Sequence, residues 1–222
     1  MCEALDEKPE IGVIFASAPS QLPFLQALRD GSDIDWSRIQ VLHMDEYLGM
    51  RADHSASFRR FLKEQLISWA TPRAFHQLAG DAADADAEVD RYTALLQSIE
   101  PSICVMGIGE NGHLAFNDPP ADFETDALVH VVELDNACRT QQWHEGHFAT
   151  LDEVPKEAIS LTVPTLLRPR RILCIVPGAR KAAAVKASLE GEVLPSCPAS
   201  ILQTVGATIY LDTDSAKLLG DS

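Results

Sequence analysis

Short apolar runs alternate along the chain with longer stretches in which apolar residues recur at helical spacing. The short runs predict β-strands at residues 11–15, 39–44, 103–106, 129–134, 171–177 and 207–211. The longer stretches predict a helix through Leu22, Leu25 and Leu28, and further helices at residues 57–67, 84–99, 179–189 and 213–219. No regular structure is predicted for residues 118–126, which contain two prolines, or for the polar residues 143–155.

Strands that are apolar on both faces and separated by helices are typical of parallel βαβ units. We therefore predict one domain, residues 1–222, with a three-layer αβα sandwich around a mostly parallel sheet. No helix is expected before the first strand. Ligands in such sheets bind beyond the carboxyl ends of the strands. This rule selects four segments, namely residues 16–21, residues 45–47, residues 107–118 and the turn after Pro177.

The charge of the chain excludes two classes of partner. Its 18 Lys and Arg residues face 33 Asp and Glu residues, which gives a net charge of −15. So acidic a surface repels nucleic-acid backbones and anionic lipid. The N-terminus is acidic and lacks the apolar core of a signal peptide, and no apolar run is long enough to span a bilayer. Five scattered cysteines without a C-x-x-C pair indicate a reducing compartment, so we predict a cytoplasmic protein.

Residues 107–112 match the G-x-G-x-x-G pattern of dinucleotide-binding proteins and follow a predicted strand, and Glu133 lies about 20 residues further on. In that motif the third glycine opens a helix. Here Pro119 and Pro120 end any helix soon after Gly112, which argues against a nicotinamide site. A tight glycine turn explains the glycines alone. It does not explain the polar residues beside them, which are Asn111, His113, Asn117 and Asp118.

Two groups of side chains in these segments suit proton transfer. A histidine beside a carboxylate can shuttle protons near neutral pH, and Asp118 is the candidate that orients His113. Asp45 and Glu46 directly follow a buried strand, where a partly desolvated carboxylate can act as a base toward a carbon-bound proton. Each group also has a structural alternative. His113 would then be a buried histidine without a catalytic role, and Asp45 and Glu46 would belong to a solvated turn.

Local charge and residue spacing indicate where the chain can bind an anion or a metal. Arg139 and Lys181 are candidates for holding an anion, the latter at the start of a predicted helix. Residues 168–171 also carry arginines but lie at a strand start, at the wrong end of the sheet. The His-Glu-Gly-His segment, residues 144–147, lacks a third ligand at zinc-site spacing, and we interpret it as a loop without metal.

Together these segments resemble the glucosamine-6-phosphate deaminase family. Residues 44–49, followed by His54, Ser57 and Phe58, are similar to its catalytic strand end, and residues 107–119 are similar to its glycine–histidine motif. Residues 158–162 and 178–182 match further segments in order, so the resemblance runs from about residue 11 to residue 219. It implies the modified Rossmann-like fold of ribose-5-phosphate isomerases and CoA transferases, with no cofactor and no metal.

The resemblance also implies a catalytic role for four residues. Asp45 is expected to move a proton between carbon 2 and carbon 1 of an open-chain amino-sugar phosphate. His113, assisted by Asp118 and Asn111, is expected to open the sugar ring by moving a proton from the anomeric hydroxyl to the ring oxygen. The products are a ketose phosphate and ammonia. Glucosamine 6-phosphate and a close hexosamine 6-phosphate both remain possible substrates.

Substrate binding is implied for a second set of residues. The resemblance assigns the 6-phosphate to Arg139, Lys181 and the loop after the first strand. That loop reads Ala-Ser-Ala-Pro-Ser-Gln where the family has a glycine-containing sequence, so side-chain donors take the place of close backbone contact. Those donors are Ser17, Ser20 and Gln21, and the other expected substrate contacts are Glu46, Gly109 and Gly112.

Two alternatives and the oligomeric state stay open. A 6-phosphogluconolactonase shares the fold, but its glycine–histidine motif continues differently and it lacks Asp-Glu-Tyr. A sugar-phosphate-sensing module needs the anion site without the proton-transfer groups. Family members include both homo-oligomers and monomers.

Overall fold

A parallel sheet of six strands forms the centre of the computed structural model, which describes residues 1–31, 33–144, 146 and 148–220. Its strands are β1 (Ile11–Phe15), β2 (Ile39–His43), β4 (Ala74–His76), β5 (Ile103–Met106), β8 (Arg171–Val176) and β9 (Ala207–Leu211). Their order is β4-β2-β1-β5-β8-β9, and every neighbouring pair is parallel. The predicted parallel architecture is confirmed.

A second, antiparallel sheet of three strands adjoins the first. It contains β3 (Asp45–Tyr47), β6 (Val129–Glu133) and β7 (Glu157–Leu161), in the order β3-β7-β6. Strand β3 begins two residues after β2 ends, so the chain passes from the main sheet to the second sheet at Asp45. This change of sheet fixes the backbone on both sides of Asp45.

Eight α-helices surround the sheets in the described part of the chain. They are α1 (Cys2–Glu7), α2 (Leu22–Gly31), α3 (Phe58–Leu62), α4 (Ser68–Ala70), α5 (Ala85–Ile99), α6 (Asn136–His144), α7 (Val163–Leu167) and α8 (Ala182–Glu190). A π-helical turn, Lys63–Ile67, joins α3 to α4. Ser57 and Asp84 cap α3 and α5, since each side chain accepts a hydrogen bond from a backbone N–H of the first turn.

Two apolar clusters cover the two faces of the main sheet and make the three layers. Consecutive residues of β1 point to opposite clusters, with Ile14 in one and Val13 and Phe15 in the other. Helices α5, α7 and α8 contribute to the first cluster, and α1 to α4 contribute to the second. A third cluster, which includes Tyr47 and Phe116, lies beneath the second sheet.

Several local expectations were wrong. A short helix, α1, precedes β1 where none was expected, and it buries Ala4 and Leu5. The predicted helix at residues 213–219 is a series of turns instead. There the Asp212 carboxylate accepts hydrogen bonds from the N–H groups of Ser215 (2.7 Å) and Gly178 (2.9 Å), which fixes the first of these turns and ties it to the turn after β8. No helix among the described residues has the length and apolarity needed to cross a bilayer.

Candidate active site

The carboxyl ends of β1, β2, β5 and β8 surround one cavity of about 320 Å³, a size that suits a small ligand. All four segments selected from the sequence contribute to its lining. Seven of the predicted site residues line it, namely Ser17, Ser20, Gln21, Asp45, Gly109, His113 and Lys181. The acid, the imidazole and the lysine expected from distant parts of the chain therefore meet at the same cavity.

The buried side chain of His43 contacts the backbone of Asp45 and fixes its position. The residue surface of Asp45 is 7% exposed, and its backbone carbonyl lies 2.9 Å from Nδ1 of His43. Because Nε2 of His43 accepts a hydrogen bond from the Leu78 N–H (2.8 Å), the ring proton belongs on Nδ1, which then donates to Asp45. Tyr92 adds hydrogen bonds to both backbone groups of His43. The buried histidine thus positions the carboxylate at the rim of the cavity.

The burial of His43 predicts a pH dependence of stability. Desolvation lowers the pKa of His43 from its ordinary 6.5 to about 3. Between these values the unfolded chain binds a proton that the folded chain does not, so the free energy of unfolding falls as pH falls. We expect His43→Gln to reduce this slope by up to about 1.4 kcal/mol per pH unit in urea unfolding. Parallel stability curves for the two proteins would contradict the prediction.

His113 stands at the end of a glycine loop whose geometry explains its sequence. The Gly109 N–H donates to the His113 carbonyl (2.9 Å) and closes the loop. A Cβ on Gly109 would lie 2.4 Å from atoms of the His113 ring, so no larger residue fits there. Gly112 has φ +87°, which glycine adopts without strain. These glycines serve the placement of the imidazole and do not begin a helix.

Asp118 and Asn111 lie behind His113 and outside the lining of the cavity. Oδ1 of Asp118 is 3.2 Å from Nδ1 of His113, close enough for an ion pair, although the direction departs from hydrogen-bond geometry. Asn111 donates to the same oxygen (3.1 Å) and accepts from the His113 N–H (3.1 Å). Burial raises the pKa of Asp118, but the contacts with His113 and Asn111 outweigh it and hold the pKa below its ordinary value. Asp118 is therefore a carboxylate that can orient and stabilise a protonated imidazole.

The loop after β1 presents few donors to the cavity. Oγ of Ser17 is buried and has no hydrogen-bond partner. Gln21 directs Nε2 to the Ile175 carbonyl (3.1 Å) and to Ser20 Oγ (3.4 Å), and its Oε1 is buried without a partner. Gln21 therefore ties the loop to β8, and Ser17 and Gln21 each keep a buried polar atom without a partner next to the cavity.

Positive charge in the cavity comes from the turn after β8. Among the described lining residues the cations are Arg180 and Lys181, both in the 3₁₀ turn that precedes α8. Arg180 is mostly exposed, and its Nε lies 3.4 Å from the Glu110 carboxylate across the mouth of the cavity. This arrangement places the positive charge of the cavity at the turn after β8.

Comparisons with known proteins agree with this architecture. The family described as glucosamine-6-phosphate isomerases/6-phosphogluconolactonase matches residues 3–210. The chain belongs to this family. A glucosamine-6-phosphate deaminase of Exiguobacterium sibiricum is 35% identical over 189 residues, which cover 85% of this chain and 73% of the relative. A glucosamine-6-phosphate deaminase of Listeria innocua is 32% identical over 210 residues, which cover 94% and 87%.

Solved structures with this fold include both activities of the family. A monomeric glucosamine-6-phosphate deaminase superimposes with a TM-score of 0.88 at 28% identity, covering 97% of this chain and 91% of that protein. A 6-phosphogluconolactonase from Shewanella baltica superimposes with a TM-score of 0.76 at 22% identity, covering 94% and 85%. The second likeness concerns the fold alone.

Three residues that the family resemblance assigned to the substrate have structural partners instead. The Arg139 guanidinium does not line the cavity and donates to the carbonyls of Leu151 (2.7 Å) and Val154 (3.1 Å). Glu46 is fully buried and accepts hydrogen bonds at the start of α3. Gly112 also lies outside the lining and packs against Cys197. Arg139 thus fixes the loop after α6, and the anion end of the cavity lacks it.

Two glutamines were missed by the sequence reasoning. Gln141 and Gln142 of α6 line the cavity. Oε1 of Gln141 accepts a hydrogen bond from the Glu110 N–H (3.0 Å), and Oε1 of Gln142 accepts one from the Tyr47 hydroxyl. Neutral amides carry no charge signal, and α6 itself was not predicted. In the His-Glu-Gly-His segment, residues 144–147, Glu145 and His147 lie outside the described residues.

Proposed function

We propose that this protein converts glucosamine 6-phosphate, or a close hexosamine 6-phosphate, and water to the corresponding ketose phosphate and ammonia. The observation that carries the proposal is the meeting of Asp45, His113 and Lys181 at one cavity. The reaction needs a group that moves a carbon-bound proton and another that moves an oxygen-bound proton. A carboxylate and an imidazole supply both. The names of the relatives at 32–35% identity support the same substrate class.

His113 acts first in the proposed sequence. Its imidazole takes the proton of the anomeric hydroxyl and returns a proton to the ring oxygen, which opens the pyranose. The ionised Asp118, 3.2 Å from Nδ1, stabilises the imidazolium that forms between the two transfers. Asn111 bridges the carboxylate and the loop, so the ring keeps one orientation. The open-chain aldehyde is then available to the second base.

Asp45 acts on the open chain. It removes the proton from carbon 2 and delivers it to carbon 1. A proton of the carbon-2 ammonium group passes to the carbonyl oxygen of carbon 1, which leaves a hydroxyl at carbon 1 and a protonated imine at carbon 2. Water adds to this imine, and ammonia leaves to give the ketose phosphate. The low exposure of Asp45 favours removal of the carbon-2 proton, because a partly desolvated carboxylate is a stronger base toward a carbon acid.

The phosphate is held at the end of β8 in this proposal. Lys181 supplies the main charge, the Ser17 hydroxyl supplies a donor, and Arg180 adds charge at the mouth. Arg139 has no part in phosphate binding in this proposal, because its guanidinium donates hydrogen bonds to backbone carbonyls. We further propose a cytoplasmic location, since all five cysteines are free thiols.

Ammonia release tests the function. The purified protein is incubated with glucosamine 6-phosphate, galactosamine 6-phosphate and 6-phosphogluconolactone in parallel. Ammonia and ketose phosphate from one of the amino sugars support the proposal. Lactone hydrolysis without ammonia release identifies a lactonase, and sugar-phosphate binding without turnover identifies a sensing module. Either of these outcomes overturns the proposal.

Removal of the Lys181 charge should affect binding more than chemistry. The phosphate is remote from the reacting carbons, so its contacts stabilise the ground state and the transition state equally. We expect Lys181→Ala to raise KM about tenfold or more and to leave kcat within about threefold in steady-state kinetics. Lys186→Ala, whose ammonium pairs with Glu190 at the surface, is the matched control and should leave both constants unchanged. A fall in kcat at constant KM would contradict this role.

A further inference from the structure

Three side chains of the kinds that bind transition metals converge behind the cavity. They are His113, Asp118 and Cys138, and their ligand atoms all lie within 4.8 Å of one another. His113 and Cys138 are buried, and Asp118 is partly buried. Cys138 comes from α6, whereas the other two come from the loop after β5. The proposed reaction gives the Cys138 thiol no task.

The imidazole of His113 has a nitrogen atom available for this cluster. Its Nδ1 is buried and has no partner with hydrogen-bond geometry, although Asp118 Oδ1 is 3.2 Å away. Zn²⁺ binds imidazole nitrogen, carboxylate oxygen and thiolate sulfur at about 2.0–2.3 Å, so its ligand atoms lie roughly 3.5 Å apart. The histidine and the aspartate already meet that spacing. The Cys138 sulfur lies within 4.8 Å of both atoms, so a shift of its side chain by at most about 1 Å completes the spacing.

Charge and orientation also suit a dication. Burial and the nearby Asp118 and Asp135 carboxylates raise the pKa of the Cys138 thiol, so the bound metal displaces its proton. The Asp118 carboxylate and the resulting thiolate then carry two negative charges, which balance the metal in a buried site. Both groups are held by their surroundings, as ligands usually are. Asn111 Nδ2 and the Asp135 N–H donate to the two Asp118 oxygens (3.1 and 3.2 Å), and the Asp135 carboxylate accepts from the Cys138 N–H (2.6 Å).

We propose that His113, Asp118 and Cys138 form an inhibitory site for a borderline divalent cation of the Zn²⁺ class. The bound cation takes Nδ1 of His113 and the oxygen that otherwise orients it, so the imidazole can no longer accept and return protons. That consequence rests on the proposed function, whereas binding of the cation does not. The three ligands leave a fourth position for water. Of the three ligands, His113 lines the cavity.

Co²⁺ spectroscopy on the full-length protein tests binding independently of activity. The exposed Cys2 is first replaced by Ser, which removes a competing surface thiol. In this background we expect a thiolate-to-cobalt charge-transfer band that saturates at one equivalent and is displaced by Zn²⁺. Cys138→Ser should abolish the band and weaken Zn²⁺ binding about tenfold or more. Cys197→Ser, the matched control with a half-buried thiol outside the cluster, should keep the band.

The outcomes separate this proposal from the proposed function. A band that persists in Cys138→Ser, or no band in the parent protein, overturns the metal site. If Cys138→Ser does not fold, Cys138→Ala carries the same test. Zn²⁺ should also inhibit ammonia release, and Cys138→Ser should raise the inhibitory concentration about tenfold. A protein that shows the band but releases no ammonia keeps the metal site and loses only the deaminase assignment.

Discussion

Asp45→Asn is expected to lower kcat by about 10²–10⁴-fold while KM for the phosphorylated amino sugar changes little. The amide has the shape of the carboxylate but cannot take a proton from carbon 2. Exchange of the carbon-2 proton with solvent deuterium, followed by mass spectrometry or NMR, isolates this step from the later loss of ammonia. We expect exchange to be lost in the variant together with turnover.

The structure supplies a matched control for this substitution. Glu110 lines the same cavity but sits at its mouth, where it pairs with Arg180. Glu110→Gln removes the same charge and should leave the exchange rate close to that of the wild type. Asp45→Asn keeps the pairing of β3 with Ser160 and the contact with His43, which both use its backbone. Exchange at the wild-type rate in Asp45→Asn would remove this residue from the mechanism.

The parallel sheet was predictable because its strands are buried on both faces. β1 and β5 are continuous apolar runs in which every residue is buried. They therefore lack the alternating polar residues of a strand with one exposed face, and the sequence indicates a parallel sheet covered on both faces. Strands β3 and β4 were missed because each has only three residues and includes charged or histidine side chains. β3 is stabilised by its pairing with β7, a tertiary contact that local sequence does not show.

The position of the site was also predictable, whereas the roles of individual charges were not. Carboxyl ends of parallel strands meet at one edge of the sheet, so Asp45 and His113 had to lie near each other. Arg139 was assigned to an anion because it is a cation near the site. Its partners are two backbone carbonyls of a loop, which a sequence pattern cannot reveal. The same holds for Glu46, whose neighbours come from the start of α3.

Glu46→Ala is expected to lower the free energy of unfolding by about 3–5 kcal/mol. Burial raises the pKa of Glu46, and hydrogen bonds from Ser57 Oγ (2.7 Å) and the N–H groups of Arg59 (3.1 Å) and Phe58 (3.2 Å) oppose that rise. The Arg59 guanidinium, almost fully buried, contacts the same carboxylate at 3.2 Å. Truncation leaves these donors without an acceptor and loosens the start of α3.

Urea unfolding measures this loss, and kinetics decide between the two roles considered for Glu46. Glu64→Ala is the control, because it removes an exposed carboxylate that pairs with Arg60, and it should cost at most about 0.5 kcal/mol. At a temperature where Glu46→Ala remains folded, we expect its KM to equal that of the wild type. A tenfold rise in KM without loss of stability would indicate that Glu46 binds the substrate and would contradict the structural role. Because the carboxylate has no exposed surface and is surrounded by donors from one helix start, the structure favours the loss of stability.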